Sequence, residues 1–439
     1  MTPEELLKLC KDVLKQNDSG KHTVPAKGFY PHKWLWDSCF IAIGLAHYNP
    51  KRAQQEILSL LNGQWSNGMI PNMVLAPSSL PSQAEIFWRS EVSPLSPDDI
   101  STSGITQPPM LAEAIVQIGK KLPKSERLTW YQTIFPALLH YHSWLYKERD
   151  PENTGLVLQI HPWETGLDNT PPWIYELQKH KTPLWIKLIG WLKIDYVIGF
   201  FRKDSFLTLP GERISTLNAL SYYNIQRQLR HNKYNTFKIL KHKGLTIEDI
   251  NFNAIFIRAN YHLKSIAKEI NRELPKELLK NMKKSETALE DLWDAYSGQY
   301  YSRNHHTHKL IKISTVGTLL PLYAGCISKE RAQQLVDILN NKQTFNTNFP
   351  IPTVPINSKW FDQHKYWQGP TWVNINWLII TGLKQYGFIK EAELLKQQTI
   401  TMVAKNGIRE YFSPLDSSPA GAHNFSWTAS LTLDLLKTK

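Results

Sequence analysis

One hydrophobic signal repeats almost from end to end of the chain: apolar residues recur every three to four positions, the spacing that lines one face of an α-helix. It runs through "EELLKLCKDVLKQ", "FIAIGLAHY", "AQQEILSLLNG", "MLAEAIVQIGKKL", "LTWYQTIFPALLHYHSWLYKE" and "NAIFIRANYHLKSIAKEI". It continues through "KELLKNMKKSETALEDLW", "TVGTLLPLYAGC", "RAQQLVDILNN", "VNINWLIITGLKQYG", "KEAELLKQQTITMVAKNG" and "FSWTASLTLDLLK". With a less regular helix or two between residues 183 and 240, the pattern predicts roughly a dozen to fourteen helices and few strands. The class is all-α.

The predicted helices often end at Gly or Asn, and the next begins after a loop carrying Trp, Pro or an acid. No solenoid-type repeat is present, and no Ser/Gly-rich or Pro-rich linker divides the chain. Residues 1–439 therefore read as a single large helical domain, with a lid or insertion at about 173–245. About a dozen helices with function-rich loops fit a double ring of six inner and six outer helices, in which alternate loops surround one central pocket. Periodicity alone does not close such a ring.

Charge and cysteine content narrow the function. The net charge is +13, but the basic residues are scattered through pieces such as "IGKKLPK", "LKHKG" and "LLKNMKK". They read as solvated helix faces, and no nucleic-acid partner is expected. The most lipid-like stretch, "TPLWIKLIGWLKIDYVIGFF", is interrupted by Lys187, Lys193 and Asp195, so it predicts a buried or lid-like helix and no membrane partner. The start, "MTPEELLKLCKDVLKQNDSG", reads as an amphipathic helix instead of an export signal. Three cysteines without ligand spacing, Cys10, Cys39 and Cys326, point to neither a disulfide framework nor zinc, and so to a cytoplasmic protein. The Asp98–Asp99 pair and the "HHTH" run at 305–308 read as exposed loop, and no metal or other cofactor is expected.

Tryptophan changes the picture. There are 16, many beside Gly, Pro, Asn and Asp in predicted loops, where packing alone would not concentrate them. Loop aromatics at this density suit a ligand with flat, weakly polar faces, such as a sugar ring.

Cleaving a glycosidic bond by the inverting route takes two carboxylates, one to protonate the leaving oxygen and one to activate water on the opposite face. "HPWETGLDNTPPW" offers Glu164 and Asp168, too close in sequence to straddle a sugar from one helix. Asp168 is the better acid, since it follows a glycine and lies among Trp163, Pro171, Pro172 and Trp173, where desolvation raises a carboxyl pKa. The competing reading makes it a cap for the next helix. Glu410 in "NGIREYFSPLDSSPAGAHNFSWTASL" is the strongest second carboxylate, with Asp416 as rival; otherwise Glu410 pairs with Arg409 or Lys405 on the surface. Two loops look like sugar grips: "GFYPHKWLWDSCF" with Tyr30, Trp34, Trp36 and Asp37, and "KYWQGPTWVNINW" with Tyr366, Trp367, Gln368 and Trp372. Gln107, before a proline pair in "STSGITQPPM", can reach a ligand, whereas Trp377 falls within helical periodicity and reads as core.

In order along the chain, "PHKWLWDSCF", "GMIPN", "TSGITQPP", "WETGLDNTPPW", "YYSRN", "KYWQGPTWVNINWL" and "REYFSP…FSWTASL" resemble glycoside hydrolase family 63, especially its compact bacterial mannosylglycerate and glucosylglycerate hydrolases. The likeness covers nearly the whole chain. It implies an (α/α)6 barrel, metal-free inverting hydrolysis of an α-glycoside, Asp168 as general acid and Glu410 as general base. It also implies that Trp36, Asp37, Gln107, Glu164, Trp367 and Gln368 line the sugar and aglycone subsites, with Trp163 and Trp427 in the same motifs. The related processing α-glucosidases typically carry "YWRGP", so Gln368 favours the glycerate-type subgroup. Residues 174–235 depart from the family pattern, so the resemblance assigns no lid or oligomer contact and names no functional residue there. The expected partner is a small glycoside, a 2-O-α-glucosyl- or mannosyl-glycerate, with a homo-oligomer left open. The rival readings are a trehalase or oligosaccharide α-glucosidase on the same barrel, and a sugar-binding barrel without catalysis.

Overall fold

The computed structural model describes residues 1–20, 22–77, 82–180, 183–192 and 212–438. Helices follow one another in six pairs. They are α1 (Pro3–Gln16) and α2 (Leu35–Leu45), α3 (Pro50–Leu61) and α4 (Leu111–Gly119), and α5 (Lys124–Arg149) and α6 (Ile250–Glu269). The remaining pairs are α7 (Lys276–Ala288) and α8 (Pro321–Ala324), α9 (Lys329–Leu339) and α10 (Val373–Tyr386), and α11 (Ile389–Asn406) and α12 (Ser426–Lys437). The even-numbered helices form the inner ring: each packs on the next, and α12 returns to α2 and closes the circle. The odd-numbered helices pack outside, α1 on α12, α3 on α2, α5 on α4 and α6, α7 on α6, α9 on α8, and α11 on α10 and α12. This is the (α/α)6 barrel.

Sequence explains the two layers. Every residue of α2 is buried, and α10 and α12 are buried over most of their length, as helices surrounded on all sides must be. The outer helices bury one stripe and carry conventional start signals. Thr2 and Glu5 form a capping box on α1, Asn49 caps α3 ahead of Pro50, and Ser328 caps α9. Some polar groups inside the rings are paired across helices: Ser430 of α12 accepts from the Gly44 N–H at 2.9 Å, and Trp377 donates to Asp434 at 2.8 Å.

Two sequence expectations change here. "TVGTLLPLYAGC" is a 3-10 turn, Val316–Leu319, followed by the four-residue α8, because Pro321 cannot donate the backbone bond that would continue one helix. The 305–308 run is not wholly an exposed loop. An antiparallel pairing of Ile247–Glu248 with Arg303–Asn304 brings Glu248 to His305, which is buried and hydrogen-bonded to it at 3.0 Å.

The loops that matter precede inner helices. Strand β1 (Lys33–Trp34) pairs antiparallel with β2 (Met73–Val74) and sets Trp34 at the start of α2. Strands β3 (Arg409–Phe412) and β4 (Pro419–His423) form a hairpin ahead of α12. Between α5 and α6 lie the helices Pro171–Lys179, Leu184–Trp191, Thr216–His231 and Thr236–Lys241. The expected lid at 173–245 falls here, with residues 181–182 and 193–211 of it outside the described residues. No helix among the described residues is long and apolar enough to cross a membrane.

Candidate active site

Asp168 and Glu410 line one cavity of about 410 Å3, counting its open mouth, together with Tyr30, Trp34, Trp36, Asp37, Gln107, Tyr366, Trp367 and Trp427. The carboxylates come from loops 242 positions apart in numbering (410 minus 168) and reach it through separate local designs.

The acid loop begins at the 3-10 turn Pro162–Thr165. His161 is fully buried, its pKa pushed down to about 3 by that burial, and its Nδ1 accepts from the Trp163 N–H at 3.2 Å. Gly166 then takes φ 74°, and a Cβ there would lie 2.6 Å from the Trp36 indole, so only glycine lets the loop close on that ring. Asp168 follows, half-buried, with one long hydrogen bond from the Tyr366 hydroxyl at 3.3 Å. Burial raises its pKa to about 7; Arg213 and the Tyr366 hydrogen bond oppose the rise, and the Glu410 charge adds to it. The next helix is capped at Thr170 without a side-chain bond, so the Asp168 carboxyl is not its cap.

Glu410 sits at the irregularity in the β3–β4 register between Arg409 and Tyr411, the kind of bulge that re-aims a side chain. It points inward and is 1% exposed. Its Oε1 accepts from the Tyr30 hydroxyl at 2.9 Å, and its Oε2 accepts from the Ala422 N–H at 2.8 Å and from Arg213 Nη2 at 3.1 Å. Gly421, at φ 68°, leaves room for this turn, since a Cβ would fall 2.4 Å from Oε2. Every contact donates to the carboxylate, which is the environment of a proton acceptor. Arg409 instead meets His423. Asp416 is exposed, held down to about pKa 2 by the Ser418 N–H, and does not line the cavity.

Asp37, in the first turn of α2, is a third carboxyl on the wall. Burial raises its pKa well above the usual range, and the charges of Glu410 and Asp168 raise it further against its own backbone N–H. In that state it can donate to a ligand as well as accept.

Four expected contacts do not line the cavity, each for a structural reason. Glu164 is fully buried, takes both Arg149 Nη atoms at 2.7 and 3.2 Å, and accepts from the N–H groups of Ile160 and Thr106, fastening the acid loop to the end of α5. Gln368 donates to the Asn169 carbonyl at 2.8 Å. Trp372 stacks behind Trp367, with centroids 3.7 Å apart and planes within 5°, and so stiffens the wall without forming it. Trp163 lies farther out, on the vestibule beyond the cavity.

Sequence reasoning named no functional residue between 174 and 235, yet Arg213 and Tyr222 reach the site. Arg213 bridges Glu410 and the Tyr30 hydroxyl (2.9 Å) and lies over the Tyr366 ring at 4.0 Å. Tyr222 donates to the Asp168 carbonyl at 2.8 Å. No periodic or motif signal surrounds either in "LPGERISTLNALSYYN"; the only cue is a cation in a segment set between two loops rich in aromatics and acids. Among the described residues no cluster of His, Cys, Asp and Glu could hold a metal ion.

Comparison with known proteins places this geometry. A mannosylglycerate hydrolase of Thermus thermophilus is 34% identical over 96% of this chain and 98% of its own length. A crystal structure of a family 63 mannosylglycerate hydrolase from Thermus thermophilus, in complex with Tris and D-glycerate, superposes with a TM-score of 0.86 at 33% identity, covering 98% of this chain and 99% of that one. A glucosylglycerate hydrolase of Mycolicibacterium hassiacum is 28% identical over 99% of this chain and 98% of its own. The pattern of the mannosylglycerate hydrolase MGH1-like glycoside hydrolase domain matches residues 30–428. Taken with the closed double ring and its paired carboxylates, this match shows that the chain belongs to the MGH1-like glycoside hydrolases and is a glycosidase.

Proposed function

We propose that this glycosidase hydrolyses 2-O-α-glucosyl-glycerate or 2-O-α-mannosyl-glycerate to hexose and glycerate, with inversion at the anomeric carbon. One observation carries the reading: a carboxyl with its pKa raised to about 7, Asp168, shares a single cavity with a carboxylate surrounded by donors, Glu410. Asp168 gives its proton to the glycosidic oxygen as the C1–O bond breaks, and glycerate leaves as the alcohol. Glu410 takes a proton from water, whose oxygen bonds to C1 from the opposite face.

The walls supply recognition. Trp36, Trp367 and Trp427 offer aromatic faces to the hexose, and Asp37 and Gln107 reach its hydroxyls; Gln107 Oε1 is buried without a protein partner. Arg213 stays cationic, and its buried Nε has no protein partner, which suits a carboxylated aglycone such as glycerate. The glycerate-bound Thermus relative and the glucosylglycerate hydrolase support the same aglycone. Residues 173–245 act as a lid on a single catalytic domain, a reading supported by Arg213 and Tyr222 reaching the acid and the base. Three free cysteines suit a cytoplasmic setting.

A substrate panel of glucosylglycerate, mannosylglycerate, trehalose and kojibiose tests the proposal. The expected result is a kcat/KM for one glycerate glycoside at least roughly 100-fold above either neutral disaccharide. Preference for trehalose or kojibiose contradicts it, and binding without product favours a non-catalytic barrel.

A further inference from the structure

Outside the catalytic cavity lies a vestibule of about 1310 Å3, counting its open mouth, more than three times the 410 Å3 within. The two are continuous, since Tyr30, Trp34, Asp168 and Tyr366 line both. Glycerate, with three carbons, is smaller than a hexose and leaves most of this space unused. The far wall is an aromatic panel. Phe87, from the helix Gln83–Trp88, lies 5.7 Å from Trp163 with planes 31° apart and 5.8 Å from Tyr223 with planes 42° apart. Tyr223 comes from Thr216–His231 and is 37% exposed, while Phe87 and Trp163 are half-buried. Gln83 adds an amide beside the rings. Three rings at shallow tilts, facing an open space and edged by a polar side chain, form the surface that a pyranose ring stacks on.

We propose that this vestibule is a distal sugar subsite, and that the enzyme also trims the terminal hexose from an α-hexosyl-hexosyl-glycerate, whose second ring lies on the Phe87–Trp163–Tyr223 panel. The inference rests on the hydrolysis proposed above. Water is consumed, the bond between the two hexoses breaks, and hexose and hexosyl-glycerate are released; a second turnover yields hexose and glycerate.

The test compares hexosyl-glycerate with the hexosyl-hexosyl-glycerate of the same sugar. The wild type is expected to cleave the longer glycoside with kcat/KM equal to or above that of the shorter. Phe87→Ala and Tyr223→Ala should each lower kcat/KM for the longer substrate roughly tenfold, while the shorter stays within about twofold. Calorimetry on the full-length Asp168→Asn protein gives a second reading that does not depend on those variants folding. The longer glycoside should bind roughly tenfold more tightly than the shorter. Failure to cleave the longer substrate, equal losses on both, or equal or weaker binding of the longer one overturns the distal subsite alone. Failure to cleave either substrate overturns the hydrolysis reading with it.

Discussion

On one side of the cavity, Asp168 meets a single long hydrogen bond and aromatic walls; on the other, Tyr30, the Ala422 N–H and Arg213 all donate to Glu410. The first setting raises the carboxyl's pKa toward a proton it can give, while the second surrounds a carboxylate with hydrogen-bond donors. The two side chains differ by one methylene, so the proposed division of labour rests on their surroundings. Glu164 extends the comparison. It lies four residues before Asp168, but a bidentate arginine and two backbone donors satisfy it completely, leaving it nothing to offer a substrate. Within one loop, the carboxyl that is left unsatisfied is the one that lines the cavity.

The comparison breaks most visibly if either partner is dispensable. Asp168→Asn and Glu410→Gln are each expected to lower kcat by roughly a thousandfold or more with the thermal midpoint retained, read by initial rates and calorimetric melting. Near-normal rates in both would dissolve the pair.

Glu164→Gln should act on the fold instead. Leaving Arg149 buried without its counter-charge costs about 3–5 kcal/mol, measured by denaturant unfolding. A variant of normal stability but abolished turnover would put Glu164 at the chemistry after all.

Arg213 connects the two sides. Replacing it with Gln removes a cation that opposes the raised pKa of Asp168, so that pKa rises further. A general acid works while protonated, so activity in the wild type should fall as pH rises through about 7, and in Arg213→Gln that limb should move to higher pH. KM for the glycerate glycoside should rise roughly 10- to 100-fold through loss of the carboxylate's partner. An unmoved alkaline limb would contradict this electrostatic link.

Tyr30→Phe gives the smallest expected effect. It removes one donor to Glu410 and should cost about 1 kcal/mol of transition-state stabilisation, a roughly fivefold loss in kcat/KM.

These contrasts also mark what the sequence could reveal. The helices were legible because their apolar period persists, and Asp168 and Glu410 because each carboxylate lies in an irregular loop among aromatics. Closure of the ring was legible only through the family resemblance and not from periodicity, because it depends on α12 meeting α2 across almost the whole chain. The family resemblance placed Glu164 among the subsite residues, whereas its ion pair with Arg149, 15 residues earlier at the end of a helix, has no short motif to announce it. Arg213 was invisible for a related reason: its contact with Glu410 spans 197 positions and starts from a segment without regular periodicity. Trp372 and Gln368 share the local pattern of Trp367, and only the stacking and the bond to Asn169 turn them away from the cavity.

Proton NMR of the first turnovers, recorded before the released sugar mutarotates, reports directly on water delivered by Glu410 opposite a proton from Asp168. Starting from the α-glycoside of glycerate, the predicted first product is the β-anomer of the hexose. Initial release of the α-anomer would contradict the assignment of the two carboxylates as an inverting acid and base.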